Sequence, residues 1–170
     1  MKIYRGDLQR FETPQLFHTT LSGIGIDNLG NPETPVELEL AVERQGEDFH
    51  LSGWVRTRLT LVCDRCLGPA VVAVDGTFQV WLVPAERPGL NGVENEVLIF
   101  PPREQAVDLG GIVAETINLG LLPKTLCRED CRGLCPTCGA DMNQQPCGCE
   151  TRQADERWSP LLKIRQQMEK

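Results

Sequence analysis

Histidine is nearly absent: His18 and His50 are the only two in 170 residues, and both fall in stretches that read as strands, away from any cysteine. A catalytic zinc site, which keeps an open position and usually includes histidine or carboxylate ligands, is therefore not expected. Long apolar runs are missing too. The best, Leu109 to Leu122, is shorter than the ~20 residues a membrane span needs and is interrupted by Glu115 and Asn118. The opening stretch, MKIYRGDLQRFETPQLF, is charged at Lys2, Arg5, Asp7 and Arg10 and has no apolar h-region, so it does not read as a secretory signal. There is no G-x-S-x-G, P-loop, H-E-x-x-H or phosphate-cradling glycine run leading into a helix, and no internal repeat or low-complexity tract. Basic charge is in deficit, with 17 Lys+Arg against 24 Asp+Glu and a net charge of -7. That balance argues against a protein that coats nucleic acid through bulk electrostatics. The expectation is a soluble cytoplasmic chain without a recognisable active site.

What the chain does have is cysteine, in close pairs. Six of the eight lie in CREDCRGLCPTCGADMNQQPCGC, Cys127 to Cys149, and the other two are Cys63 and Cys66 in VCDRCLG. In a reducing cytosol disulfides are rare and thiolates remain available to zinc, so structural metal ligation is the leading reading. In CPTCG, Gly139 behind Cys135 and Cys138 permits the positive φ of a tight turn around a metal. Cys135, Cys138, Cys147 and Cys149 could complete one tetrahedral site, leaving Cys63, Cys66, Cys127 and Cys131 for a second. The other partition joins Cys63 and Cys66 to Cys135 and Cys138, and spacing alone does not separate the two. One or two zinc ions are expected. Two competing functions share these residues. A thiol-redox protein would cycle Cys63 and Cys66, whose two-residue spacing suits dithiol chemistry, although the pair lies between strands and not at a helix N-terminus. A zinc-ribbon adaptor in transcription would use the same metal.

The chain length suits one domain carrying a small appended module. Leu16 to Ile26 reads as a strand followed by a turn-rich loop, and Val36 to Val42 alternates apolar and acidic residues with period two, as a half-buried strand does. In Phe49 to Val62, Leu51, Gly53, Val55, Thr57, Leu59 and Leu61 share one face. With AVVAVDGTFQVWLV beyond the CDRCLGP turn, this predicts a β-hairpin presenting Cys63 and Cys66 at its tip. The polar loop PAERPGLNGVEN is expected to be disordered, and Glu96 to Phe100 is a short strand ended by Pro101-Pro102. Asp108 can cap a helix over residues 108–121 with Leu109, Ile112, Val113, Ile117 and Leu121 on one stripe. Ser159 and Pro160 would start a short last helix, anchored by Trp158, with Leu161, Ile164 and Met168 along one edge. The expected fold is α+β: an antiparallel β-rich body with one packed helix and a C-terminal cysteine-rich zinc-binding tail. Its divisions are the body at 1–121, the zinc-binding module at 122–150 and a C-terminal segment at 151–170.

The order CDRCL, an apolar helix ending in LGLLP, LCREDCRGLCPTCGADMN, CGC and DERW resembles the YceD-like family of large ribosomal RNA subunit accumulation proteins. The likeness covers nearly the whole chain. The family pattern often reads Asp-Pro-Arg where Asp155-Glu156-Arg157 stands, and Asn-Leu-Asn where Asp141-Met142-Asn143 stands; neither departure is expected to touch a sulfur. The resemblance implies a cytoplasmic, bacterial, non-enzymatic factor needed for 23S ribosomal RNA accumulation and large-subunit assembly. Its partner would be large-subunit ribosomal RNA or a precursor particle, reached directly or through a ribosomal protein, with no membrane and no small-molecule substrate. Lys124, Arg128 and Arg132 are then the residues expected to meet RNA phosphates, with Arg152 and Arg157 extending that patch.

Overall fold

The period-two stretches form one five-stranded sheet in the order β2-β3-β4-β5-β6, where β2 is Gln15–Thr20, β3 Pro35–Gln45, β4 Asp48–Val62, β5 Pro69–Val83 and β6 Glu96–Ile99. The computed structural model describes residues 1–10, 12–84 and 96–149, together with Leu161 and Arg165. Alternation decides which side is wet. Val36, Leu38, Leu40, Leu51, Val55 and Leu59 are fully buried on the inner face, while Glu37 and Glu39 stand opposite Arg56 and Trp54 in the register of β3 and β4. A one-residue slip would turn every one of these leucines and valines outward, so the pairing is strongly specified. β4 and β5 pair antiparallel from Phe49↔Leu82 to Val62↔Pro69, which places the turn at residues 63–68 as expected. The last addition is parallel: β6 joins β5 only over Val80–Val83.

One strand is shorter than its apolar content suggests. β2 stops at Thr20, and Ser22–Ile24 forms a 3₁₀ turn closed by Gly25 at φ 85°. This turn tucks Leu21, Ile24 and Ile26 into the core, so their side chains plug one end of the sheet where a longer strand was expected. Two elements too short to show periodicity also appear. β1 (Lys2–Tyr4) pairs antiparallel with β7 (Ala106–Asp108), and α1 (Arg5–Leu8) follows β1 directly. Arg5 explains this corner. Its guanidinium donates to the carbonyls of Phe100, Pro101 and Glu104 and lies 3.7 Å from the Phe100 ring centroid, tying the N-terminal corner to the turn that follows β6.

The helix expected over 108–121 is α2, Gly110–Leu119. Leu109 occupies the N-cap, and the Asp108 carboxylate accepts the Gly110 N–H at 2.8 Å from one residue earlier. Leu109, Ile112, Val113 and Ile117 are buried on the stripe that the spacing marks out, and the Thr116 hydroxyl donates to the Ile112 carbonyl. Gly76 makes the docking possible: a Cβ there would sit 2.6 Å from the Thr116 methyl. α2 thus seals the inner face of β5 and delivers the chain to the cysteine segment beside the hairpin tip. Pro84 aside, the loop PAERPGLNGVEN lies outside the described residues. So do Trp158, Ser159, Pro160, Ile164 and Met168 of the last expected helix, in which Leu161 and Arg165 are helical and exposed.

Candidate metal centres

The hairpin tip builds the first cluster. Beyond Val62 the Cys63 N–H donates to the Gly68 carbonyl (2.8 Å) and the Leu67 N–H to the Cys63 carbonyl (2.9 Å), closing a knuckle that bends both thiols inward. Leu67 takes φ 59°, a region that costs a non-glycine residue about 1–2 kcal/mol. The start of the tail is clamped to this knuckle at several points. Asp64 accepts the Thr125 N–H through Oδ2 at 2.6 Å and returns its own N–H to the Thr125 carbonyl at 2.9 Å. Arg65 donates to the carbonyls of Cys131 (2.8 Å) and Glu129 (3.2 Å), and its own carbonyl accepts the Leu134 N–H. The result brings Cys63, Cys66, Cys127 and Cys131 together with all four sulfurs within 4.8 Å of one another. Cys63 Sγ is 3.9 Å from Cys131 Sγ, and Cys66 Sγ is 3.7 Å from Cys127 Sγ. Those spacings fit a metal and not a bond. Four sulfurs each ~2.3 Å from a common centre lie ~3.8 Å apart, whereas a disulfide requires ~2.05 Å.

The second cluster is local to the tail. The Cys135 N–H donates to the Ala140 carbonyl, the Gly139 N–H to the Cys135 carbonyl, and the Thr137 N–H points at the Cys135 sulfur at 3.4 Å. Gly139 supplies the positive φ, 74°, that this knuckle needs. The chain returns through a single bridge, Leu134↔Asp141, and Cys147 and Cys149 then close on Cys135 and Cys138, again within 4.8 Å. Met142 Sδ lies 3.6 Å from Cys147 Sγ, so one departure from the family pattern does border a ligand sulfur.

Electrostatics shows how each cluster could receive a cation. The Cys66 N–H, helped by further backbone donors against the opposing effect of burial, lowers the Cys63 thiol to about 6. The N–H groups of Cys138 and Thr137 do the same for Cys135, also to about 6. Burial resists charge on Cys131, but the Gly133 N–H and the Asn143 amide outweigh it, and its thiol too lies below the ordinary value. The remaining thiols meet this accumulated negative charge. Burial and the neighbouring sulfurs push Cys127 up to about 12, and Cys138 and Cys147 push Cys149 up to about 12. Four like charges at such distances are tolerable only around a cation. A donor set of four thiolates is soft and closed, with no position left for a substrate.

Of the two partitions that spacing allowed, the structure forms the one in which each cluster uses neighbouring tail cysteines, and Cys63 and Cys66 do not share a cluster with Cys135 and Cys138. The basic residues fare differently. Lys124 and Arg128 border one surface cavity with Val71, Leu122 and Leu126. Arg128 is committed within the tail, pairing with Asp130 (Nε–Oδ1 3.3 Å) and donating to Asn143 Oδ1 (2.8 Å). Arg132 is exposed, and Arg152 and Arg157 lie outside the described residues. His18 and His50 sit on β2 and β4, the latter beside Trp81 at 4.6 Å between ring centroids. Sequence reasoning passed over Asp64, Asp141 and Asn143, because a polar residue in a turn reads as solvated surface. Their signal is positional: each is an Asp or Asn beside a cysteine knuckle, the residue type that caps turns.

Comparison with known proteins places these features in context. Residues 51–165 match the family described as large ribosomal RNA subunit accumulation protein YceD. The chain is 28% identical over 161 residues to an Arabidopsis thaliana protein named large ribosomal RNA subunit accumulation protein YCED homolog 1, chloroplastic, covering 80% of this chain and 50% of that protein. The Zea mays protein of the same name is 30% identical over 169 residues, covering 83% and 57%. An uncharacterized protein of Mycobacterium tuberculosis is 31% identical over 134 residues, covering 76% and 61%. The chain spans about half the length of the two plant relatives, and no solved structure matches it. No helix among the described residues is long and apolar enough to cross a membrane.

Proposed function

Because the chain belongs to the YceD family of large ribosomal RNA subunit accumulation proteins, we propose that it is a cytoplasmic, non-enzymatic factor that sustains 23S ribosomal RNA during assembly of the large ribosomal subunit. The observation that carries this reading is the match over residues 51–165, which runs from β4 through both cysteine clusters. Zinc is the metal assigned to them, since a closed set of four thiolates is its common structural environment. Bound there, it supplies structure and no reaction. The chain's own residues do the rest. Cys63 and Cys66 hold the hairpin, Cys127 and Cys131 hold the tail, and the Asp64 and Arg65 contacts orient one against the other. Lys124 and Arg132, both exposed, are the cations proposed to meet ribosomal RNA within a precursor particle. An overall acidic chain cannot bind RNA tightly by bulk charge, so a fixed arrangement of few cations is the economical route.

The test is complementation in a bacterial host deleted for its own family member. Expression of this chain should restore the ratio of large-subunit to small-subunit ribosomal RNA, and the protein should sediment with large-subunit precursors on a sucrose gradient. Unchanged ribosomal RNA and sedimentation only at the top of the gradient would reject the proposal. Metal is tested separately, by mass spectrometry of freshly purified protein and thiol titration before and after denaturation. Two zinc ions and thiols that react only after denaturation are expected. Free, reactive Cys63 and Cys66 would favour the redox alternative.

A further inference from the structure

Asn143 stands in the loop between Cys138 and Cys147, yet its side chain faces the other cluster. Its amide nitrogen lies 3.4 Å from the sulfur of Cys131. Its amide oxygen accepts the Arg132 N–H, immediately after that cysteine, and the Arg128 guanidinium, both at 2.8 Å. The residue is held in this pose from its own side of the tail. The Asp141 carboxylate accepts both the Asn143 backbone N–H (2.9 Å) and its side-chain amide (2.7 Å), while the Met142 N–H donates to the Gly133 carbonyl. Both ends of one amide are therefore used across the boundary between clusters. Aspartate could not donate to the sulfur, and alanine could do neither.

We propose that Asn143 couples the two clusters, so that metal bound by Cys135, Cys138, Cys147 and Cys149 tightens metal binding at Cys63, Cys66, Cys127 and Cys131. The proposal rests on the reading of both clusters as metal sites. The loop ADMNQQP that carries Asn143 has almost no apolar side chain to bury, so its order depends on the cysteines that bracket it. Filling the second cluster fixes the loop and presents the amide to Cys131; emptying it withdraws a hydrogen bond from a ligand sulfur. Outer partners of this kind orient the ligand and tune its basicity. Linkage makes the effect mutual: metal at the first cluster tightens the second by the same factor.

The experiment uses the full chain loaded with cadmium-113, whose two four-sulfur sites give separate resonances, with each site's affinity read by chelator competition. The resonance lost in Cys147→Ser/Cys149→Ser identifies the second cluster. Asn143→Ala should weaken the first cluster about 10- to 100-fold, the range found when outer-shell partners of metal ligands are removed. Cys147→Ser/Cys149→Ser should weaken it similarly, and the triple variant should show no further loss, because all three changes cut one connection. Asn143→Asp keeps the acceptor for Arg132 but loses the amide's donors to both the Cys131 sulfur and the Asp141 carboxylate, so it should reproduce the loss even if the alanine variant folds poorly. First-cluster affinity unchanged in Asn143→Asp overturns the proposal, as does a triple variant whose losses multiply. A wild-type protein that takes up no cadmium would instead defeat the metal reading itself, a distinct result visible before any variant is made.

Discussion

Replacing Gly133 by alanine should damage the first cluster far more than the same change at Gly139 damages the second, though both glycines hold φ 74°. The shared part is conformational: an L-residue in the left-handed region costs about 1–2 kcal/mol, or about 5- to 30-fold in an equilibrium constant. At Gly139 nothing lies within 4 Å of the added methyl, so that cost stands alone. At Gly133 the methyl would sit 2.8 Å from the Arg65 carbonyl oxygen and 3.3 Å from Arg65 Cβ. Backbone cannot rotate aside, so the tail must retreat from the hairpin, straining the Leu134 N–H to Arg65 carbonyl bond. Overpacking at about 1–3 kcal/mol and a weakened hydrogen bond at about 0.5–1.5 kcal/mol bring the total to about 3–6 kcal/mol. Because folding and metal binding are linked in such segments, the loss should appear as affinity. Zinc competition with a chromophoric chelator should show the first cluster of Gly133→Ala weakened at least about 100-fold, with Gly139→Ala confined to the smaller range at the second. Equal losses at the two sites would refute the contact between Gly133 and Arg65 as the origin.

Chelation should make the segment after Pro123 protease-sensitive while the sheet persists by circular dichroism; cleavage equally slow with and without metal would reject metal-dependent order in the tail. Lys124→Glu with Arg132→Glu should weaken association with ribosomal particles while zinc content holds, and binding by the unmodified protein should fall as salt rises. Adding Arg128→Glu should also lower zinc affinity, since a carboxylate there would face Asp130 and abandon Asn143; retained affinity in that variant would show the Arg128 contacts to be dispensable. Metal loading should weaken as pH falls, because protons compete with the metal for every sulfur, and Cys63 and Cys135, held at about 6, are the thiols that stay deprotonated furthest on acidification. Their favourable contribution is complete above the ordinary thiol range and lost on acidification, so loading that improves toward pH 5 would reverse the argument.

Alternation carried the sheet because Val36 to Val42 and Phe49 to Val62 each bury one face, and burial of one face fixes both pairing and register. It failed where that condition fails. Leu21, Ile24 and Ile26 are apolar for a plug and not a strand, and three-residue β1 and β7 are too short to display any period. The direction of β6 is likewise invisible, since parallel and antiparallel strands can bury the same side chains. The arrival of α2 on an apolar stripe was legible from Leu109, Ile112, Val113 and Ile117. At the clusters, spacing supplied the pairs and could not choose the partition. That choice is made by backbone contacts at Thr125, Leu134 and Gly133 with residues 64 and 65, which no ligand pattern encodes. Of the basic residues expected to meet RNA, Lys124, Arg128 and Arg132 are all exposed, and Arg128 also pairs with Asp130.

The two clusters differ in how much chain they enclose. Cys63 and Cys131 are 68 positions apart, and between them run the whole of β5, β6, β7 and α2. A metal there closes a long loop, and by the chain-entropy relation used for cross-links it would remove about 4 kcal/mol worth of freedom from the unfolded polymer. The cluster from Cys135 to Cys149 encloses only a short loop and constrains little beyond itself. Loss of the first ion should therefore lower the melting temperature of the entire sheet, and loss of the second should lower it less, only by as much as it weakens the first site. During synthesis the first site also cannot exist until Cys131 has emerged and α2 has returned the chain to the hairpin. The four-sulfur site is thus complete only after the whole body has been synthesised.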